Sequence, residues 1–428
     1  MPTRAGRSLH IALALTVGPL WAAGGGAVGT ALGGAVGRAW PSASAPVTPT
    51  TPAAHPGPGT KATAQERYLT LPLRGAFGVE VVAPAIRQAV ETAERKQIGH
   101  VVIVLDSPGG AVADAEAISE LMHAARDRVT FHVVCTQAIS ASVWVLANAQ
   151  RIYVPPTGRI GAALVFWQDS SSGNPAVDQK FNAALASEVA SLASSNGHNP
   201  VLFRAMMEPE VPVLVARAAD GTTAVSTSRD VPGAIGYTQV HSGKGVLSLD
   251  HDQAILTGLA LALPSEDPAQ IGPLLGIAGW APAAGDPGRR IAASVASAST
   301  RLTDQLAQAE QRLGALIERL NAQADRIDPL IADFNASALA PPASRLGAID
   351  ALIAAYEDYA KLTKSYDAAA AAHARASAAL YEFRRVKPPE IEAPSTARLR
   401  TDITDAWRRA KEIRAQIAPR GARPARPR

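Results

Sequence analysis

The feature that most constrains the fold is an apolar run that ends in a glycine-rich turn. Residues 101–105 read Val-Val-Ile-Val-Leu, and residues 106–110 read Asp-Ser-Pro-Gly-Gly. A continuous run of branched apolar residues is typical of a strand buried on both faces, as in a parallel sheet covered by helices. Proline and two glycines end such a strand, and the resulting turn can direct backbone N–H groups towards a ligand.

The segments on either side continue a pattern of alternating strands and helices. Strands are predicted at residues 68–73, 100–105, 129–135 and 151–154, and helices at 83–96, 113–126, 140–149 and 178–195. A last strand and helix are predicted at 246–249 and 253–256, and the segment 264–280 closes the domain. The order predicts an α/β layered domain, residues 66–282, with a mostly parallel sheet.

The N-terminal region has the composition of a targeting segment. Arg4 and Arg7 precede residues 8–37, which contain no Asp, Glu, Lys or Arg. We therefore interpret residues 1–38 as a signal peptide or membrane anchor, which predicts a protein on the periplasmic side of the inner membrane. Residues 39–65 are rich in Pro, Ala and Thr and are predicted to be a flexible linker.

The C-terminal third has a helical periodicity. Apolar residues recur in alternating steps of four and three, with one polar position at Gln323, at Leu302, Leu306, Ala309, Leu313, Leu316, Leu320 and Ile327. Two further helices are predicted around residues 346–356 and 399–417. Residues 283–428 are thus predicted to form a coiled coil or helical bundle with a basic disordered tail, in a structural or partner-binding role.

Composition excludes some classes of function. The formal net charge of +4 over 428 residues gives no support for nucleic-acid binding. Cys135 is the one cysteine, so no intramolecular disulfide can form, and its apolar surroundings predict a buried small side chain. The histidines show no metal-ligand spacing, so we expect no metal site. We also expect no cofactor.

Three segments together supply a nucleophile, a base and an oxyanion hole. Ser140 follows a predicted strand and opens a helix, where the peptide dipoles favour an alkoxide. The N–H of Ala141, with one from Gly109 or Gly110, would hold the oxyanion. Lys180 begins a later helix, where a desolvated amine would act as general base. Ser140 is alternatively a helix cap and Lys180 a solvated surface lysine, while Ser107 and Ser142 are reserve hydroxyls.

The order of these motifs resembles the Clp/crotonase fold, and within it the NfeD-type serine peptidases related to signal peptide peptidase A. The similar segments, over residues 68–280, are Asp-Ser-Pro-Gly-Gly at 106–110, Ala-Ile-Ser-Ala at 138–141, residues 155–162, Ser-Leu-Ala at 191–193 and Gly-His-Asn at 197–199. The resemblance implies Ser140 as nucleophile and Lys180 as base. It also implies a homo-oligomer that cleaves polypeptides with hydrophobic segments near the membrane.

The chain departs from the family pattern in two respects. Ser142 stands where the family has a glycine, and helices replace the family's small C-terminal β-barrel and membrane spans. The related Clp subunit carries its histidine in the segment that corresponds to residues 162–168, which here contains none, and this disfavours a Ser-His triad. An inactive scaffold that acts through its helices, and an acyl-CoA-processing crotonase-type enzyme, remain alternatives, although export argues against the second.

Overall fold

A computed structural model describes residues 66–164, 175–388 and 396–418. The predicted targeting segment and linker, and the basic tail, lie outside these residues. Among the described helices, none combines the length and the apolar character needed to cross a bilayer.

The first part of the described chain alternates strands and helices as predicted. Its elements are β1 (Arg67–Arg74), α1 (Ala83–Arg95), β2 (His100–Ser107), α2 (Val112–Ala125), β3 (Thr130–Ile139), α3 (Val143–Ala147) and β4 (Arg151–Val154). A 3-10 turn, Ser140–Ser142, joins β3 to α3. The predicted α/β class with a mostly parallel sheet is confirmed.

The second part of the α/β region contains shorter elements. These are β5 (Arg159–Gly161), α4 (Pro175–Ser195), α5 (Pro200–Met207), β6 (Val213–Ala218), β7 (Thr223–Ser226), β8 (Ala234–His241), β9 (Ser248–Leu249), α6 (His251–Leu256), β10 (Leu261–Ala262), α7 (Ile271–Leu275) and β11 (Ala281–Pro282). The predictions omitted β5, α5 and the antiparallel sheet β7-β6-β8.

The main sheet has the strand order β10-β4-β3-β2-β1-β11, with β5 continuing beside the end of β3. Each neighbouring pair along that order is parallel. Because β1, β2 and β3 are adjacent and parallel, their carboxyl ends meet at one edge of the sheet, where ligands bind in open parallel sheets. The segments that follow these three strands therefore lie side by side.

Both faces of the sheet are covered. Leu69, Leu71, Ile103 and Leu105 are fully buried and pack in one cluster with residues of α1, α2 and α3. On the other face, Tyr68 stacks on Trp280 with ring centroids 4.7 Å apart, above buried valines of β2 and β3. Burying one such aliphatic side chain stabilises the fold by about 1.5–3 kcal/mol, so this two-sided core holds the strand ends in place.

The chain forms two compact units. The α/β unit includes the described residues up to Arg301 and also residues 381–388, and the helical unit holds residues 302–380 and 396–418. Three long helices run through these regions: α8 (Pro287–Ala336), α9 (Pro342–Arg384) and α10 (Ala397–Ile417).

The helical unit has its own core, which uses the predicted heptad positions. Leu313, Leu320 and Ile327 of α8 pack with residues of α9 and α10. Gln323, the polar position in the predicted seam, is 6% exposed, and its Nε2 donates to the Ala355 carbonyl at 3.0 Å. A satisfied polar residue in an apolar seam favours one alignment of the helices over shifted ones.

One half-buried carboxyl, on α2, makes the stability of the α/β unit depend on pH. Burial, together with Glu188 and Glu120, raises the pKa of Glu116 from 4.5 to about 7. The folded state therefore binds this proton more tightly than the unfolded state, and stability is lost as pH rises from about 4.5 through 7.

We expect Glu116→Gln to remove this loss. At pH 8 the variant should be more stable than the parent by on the order of 1 kcal/mol after allowance for solvent screening, with no gain at pH 4. Calorimetric unfolding at both pH values measures the difference, and Glu91→Gln on α1 serves as a control. An equal gain at both pH values would contradict the assignment.

Candidate active site

A β-bulge precedes Ser140. Leu105 of β2 pairs with Cys135 of β3, but the next residue, Asp106, pairs with Gln137, so Thr136 is the extra residue. The Thr136 hydroxyl donates to the Leu105 carbonyl at 3.0 Å, which fixes the bulge. Bulges re-aim the residues that follow them, and sequence analysis did not find this one, although a threonine that ends an apolar strand run is a weak signal for it.

Ser140 has an uncommon backbone conformation. Its φ is 55°, in the left-handed region that residues with a Cβ seldom adopt, and its side chain is half-buried. Such strain is kept where the surrounding structure imposes it, and it is frequent at active sites. The predicted position of Ser140, between the end of β3 and a helix, is confirmed, although the residue opens a 3-10 turn rather than α3 itself.

Gly109 lies directly against Ser140. A Cβ added to Gly109 would be 2.4 Å from the Ser140 Cβ and 3.0 Å from its Oγ, and the φ of Gly109 is 108°. Both the space and the conformation require glycine here. The turn after β2 and the serine after β3, which are 31 residues apart in sequence (140 − 109), are thus in contact.

The backbone of Phe77 holds the glycine turn. The Phe77 N–H donates to the Gly109 carbonyl, and the Ala111 N–H donates to the Phe77 carbonyl, both at 2.9 Å. The Gly110 N–H belongs to the same peptide as the Gly109 carbonyl, so it points away from Phe77. Because Phe77 follows β1, on one side of β2, this N–H is directed to the side of β3 and Ser140.

The N–H groups of Gly109 and Gly110 differ in whether they already donate a hydrogen bond. The Gly109 N–H donates to the Ser107 Oγ at 3.1 Å, so its hydrogen bond is already used. Within the described part of the chain, the Gly110 and Ala141 N–H groups donate to no residue. Of the three predicted oxyanion donors, the structure leaves Gly110 and Ala141 available.

Lys180 lies in the first half of α4 and its side chain is exposed. The expectation that its amine is desolvated is therefore wrong for this structure. Both residues are described, and no hydrogen bond joins Lys180 to Ser140. The structure brings together Ser140, Gly109 and the free N–H of Gly110, but it does not bring Lys180 into direct contact with them.

The far end of α4 is fixed to the end of α3. The Asn196 side chain donates to the Ala147 carbonyl at 3.0 Å, and the His198 ring bonds to the Ala149 carbonyl at 2.7 Å. Since α3 runs from Ser140 back towards the start of β4, this anchor lies at the amino edge of the sheet. Helix α4 has 21 residues and is about 30 Å long, so its first turns extend towards the carboxyl edge.

Two histidines of this unit, His132 and His198, have structural roles. His132 lies in a strand as expected, where burial lowers its pKa to about 3 and where it bonds to His100 and Tyr153. Burial also lowers the pKa of His198, at the end of α4. Cys135 is buried as expected, which raises the pKa of its thiol. Across the described residues, no three His, Cys, Asp or Glu side chains come together as metal ligands.

Ser142 is the second polar residue at this turn, and its environment is unfavourable. The side chain is fully buried, and its Oγ has no hydrogen-bond partner within the described structure. An unpaired buried hydroxyl destabilises the fold. Ser142 therefore has an energetic cost two positions after Ser140.

Comparison with known proteins supports the resemblance inferred from these motifs. Residues 77–250 match the family model described as the N-terminal domain of NfeD1b, so this region is NfeD-like. The membrane protein NfeD1b of Bacillus subtilis (strain 168) is 26% identical over 158 residues, which are 37% of this chain and 35% of the relative. The match thus spans about a third of that relative's length.

Solved structures show more distant similarity. The 1510-N membrane protease specific for a stomatin homolog, from Pyrococcus horikoshii, is 16% identical, with a TM-score of 0.32 over 50% of this chain and 79% of that chain. A ClpP1 mutant from Listeria monocytogenes is 14% identical, with a TM-score of 0.30 over 45% of this chain and 89% of that chain.

The contact between Gly109 and Ser140 predicts a strong effect of one added methyl group. We expect Gly109→Ala to destabilise the α/β unit by on the order of 2 kcal/mol, because the new Cβ overlaps Ser140 and the φ is unfavourable. Gly99→Ala is the matched control, since a Cβ there would meet nothing within 4 Å. Calorimetric unfolding of both variants tests this, and equal stability would contradict it.

The unpaired hydroxyl of Ser142 predicts a stabilising substitution. Ser142→Ala should raise the free energy of unfolding by about 1 kcal/mol, because it removes a buried polar group without a partner. Ser119→Ala should have the opposite effect, since the Ser119 hydroxyl accepts a hydrogen bond from Asn148 at 2.6 Å. Denaturant unfolding of the two variants compares the signs, and a loss of stability in Ser142→Ala would show that its hydroxyl has a partner.

Proposed function

We propose that the α/β unit is a serine peptidase in which Ser140 is the nucleophile, Lys180 is the general base, and the Gly110 and Ala141 N–H groups form the oxyanion hole. The approach of Gly109 to Ser140 is the observation that carries this proposal. It supports a site in which the Ser140 hydroxyl and the free N–H of Gly110 point into the same space at the carboxyl edge of the sheet, where a substrate carbonyl would bind.

The reaction follows from these positions. Ser140 Oγ attacks the carbonyl carbon of the scissile peptide, and its proton passes to the neutral amine of Lys180. The oxyanion of the tetrahedral intermediate accepts hydrogen bonds from Gly110 and Ala141. Collapse of the intermediate breaks the C–N bond, and the leaving amine takes the proton from Lys180. Water, deprotonated by Lys180, then attacks the acyl carbon; the C–O bond to Ser140 breaks, and Ser140 Oγ takes the proton from Lys180, which releases the acid and restores the site.

The direction of α4 supports Lys180 as the base. Its C-terminal end is anchored near Ala147, and its first turns extend towards the edge of the sheet where Ser140 lies. The side chain of Lys180 is exposed, so a bound polypeptide has to shield it from water before it can act as the base. Catalysis by this pair thus requires substrate binding to complete the site.

The proposed substrate is a polypeptide with hydrophobic segments near a membrane. The uncharged residues 8–37 support anchoring in, or export across, the inner membrane, and the relative NfeD1b is named a membrane protein. We further propose periplasmic exposure, assembly into at least a dimer, and a reaction that needs no cofactor. The helical unit, residues 302–380 and 396–418, is a candidate oligomerisation or adaptor element.

One observation favours a second function. The exposed Lys180 and the buried, unpaired Ser142 are also the features expected of an inactive Clp-fold scaffold that acts through its helices. The third alternative, a crotonase-type acyl-CoA enzyme, would use the same oxyanion turn on a thioester. The test below separates the three.

The test is cleavage of an unfolded, hydrophobic-rich protein by the full chain in detergent micelles. Ser140→Ala and Lys180→Ala should each lower kcat by at least about 1000-fold, because each removes a partner in proton transfer at the nucleophile. Ser187→Ala and Lys244→Ala, at exposed positions, are the matched controls and should retain activity. Circular dichroism confirms that each variant is folded.

Each outcome has a distinct meaning. Cleavage that survives Ser140→Ala would reject this residue as the nucleophile, and full activity in Lys180→Ala would reject the lysine as the base. A folded parent that cleaves nothing, and is not labelled at Ser140 by a fluorophosphonate, would favour the scaffold. Binding of an acyl-CoA by the parent would favour the crotonase-type enzyme.

A further inference from the structure

A buried ion pair joins the last residue of α9 to the first turn of α2. The Arg384 side chain is 7% exposed and the Asp114 side chain is fully buried. Arg384 Nε donates to Asp114 Oδ1 at 2.8 Å, and its second nitrogen donates to Oδ2, so the contact is bidentate. Both residues belong to the α/β unit, although the preceding part of α9 belongs to the helical unit.

The same guanidinium lies over the turn that follows β1. A Cβ added to Gly78 would be 2.8 Å from an Arg384 nitrogen and 3.1 Å from Asp114 Oδ2. Arg384 thus packs at the junction where Gly78 meets Ala111 and Asp114 at the start of α2. Glycine at position 78 leaves the room that the guanidinium occupies.

These two segments hold the proposed oxyanion turn from both ends. The Phe77 N–H and carbonyl bond to Gly109 and Ala111, and Asp114 lies in the helical turn that begins immediately after Ala111. Gly110 lies between Gly109 and Ala111, both of which bond to Phe77. A movement of α2 relative to Phe77 would therefore change the direction of the Gly110 N–H. The Arg384 guanidinium bonds to Asp114 and lies beside Gly78, so it borders both segments.

We propose that Arg384 is a positioning residue for the oxyanion hole: by clamping Asp114 beside Gly78, it holds the Gly110 N–H in its catalytic direction. This inference rests on the proposed function. It assigns a role in catalysis to the end of α9, which is remote in sequence from the other site residues. The site is then complete only when the chain up to residue 384 is present.

A bidentate ion pair suits this role better than apolar contact does. An apolar contact between α9 and α2 would tolerate sliding, whereas the planar guanidinium fixes the carboxylate in distance and in angle. A buried charge without a partner also destabilises the fold strongly. If Arg384 or Asp114 moved, the other would be left buried and unpaired, so the two move together or not at all. Their pairing therefore defines one position of α2 relative to the Phe77 turn.

The test measures both catalysis and local opening in the full chain in detergent micelles. In Arg384→Ala we expect kcat to fall about 10- to 100-fold with KM within about twofold, because the oxyanion donor is misplaced rather than the substrate lost. Hydrogen exchange at Ala111, whose N–H bonds to Phe77, should quicken by at least about tenfold.

Two further variants make the result specific. Arg384→Lys keeps the charge without the bidentate geometry and should fall between parent and Arg384→Ala in both measurements. It also replaces Arg384→Ala if that variant is unfolded by circular dichroism. Arg385→Ala removes the same charge one residue later at an exposed position and should match the parent.

The exchange measurement keeps this inference separate from the peptidase proposal. Unchanged exchange at Ala111 in folded Arg384 variants would overturn the clamp, whatever the activity. A rise in KM with kcat unchanged would also overturn it. If the parent fails to cleave, the peptidase proposal fails by itself. Faster exchange in Arg384→Ala would then support a clamp on the turn but not its catalytic role.

Discussion

The contact between Gly109 and Ser140 is the constraint on which the candidate site depends. It leaves no space for a Cβ at position 109. Several local features are needed to produce it: the bulge at Thr136, the positive φ of Ser140, and the hydrogen bonds from Phe77 that hold the glycine turn. The parallel sheet supplies the common frame, because it ends β1, β2 and β3 at the same edge.

The sequence predicted the central strands of the main sheet, and it missed several later elements, which include the buried β6 and α5 as well as exposed or very short strands. Strands β1 to β4 are apolar runs, and their order along the chain was enough to predict a parallel sheet. The missed strand β8 has no buried residue, and Ile235 in it is 70% exposed, so it shows neither a continuous run nor a clean alternation. Strand β5 has three residues, too few for any periodicity.

The site was predictable in its residue types but not in its hydrogen bonds. The motif at 106–110 indicated an oxyanion turn, yet only the structure shows that Ser107 occupies the Gly109 N–H. Arg384 could not have been found, because nothing in a long helix of mixed charge distinguishes one arginine from another. Its partner Asp114 is 270 residues away in sequence, and such a pairing is set by tertiary packing alone.

Three features that cost free energy lie on or next to the segments of the candidate site, although the α/β unit has others elsewhere, such as the positive φ of Glu210 and the unpaired Nδ1 of His251. Ser140 is held in a strained conformation, Ser142 is buried without a partner, and the Asp114–Arg384 pair is fully desolvated. By contrast, ion pairs of the helical unit such as Arg414–Asp350 are half-exposed, and pairs of that kind contribute little to stability. A domain that served only as a scaffold would be more stable with these features replaced by ordinary packing. The strain at Ser140 indicates a functional constraint on this residue, whereas the unpaired hydroxyl of Ser142 is equally expected of a scaffold.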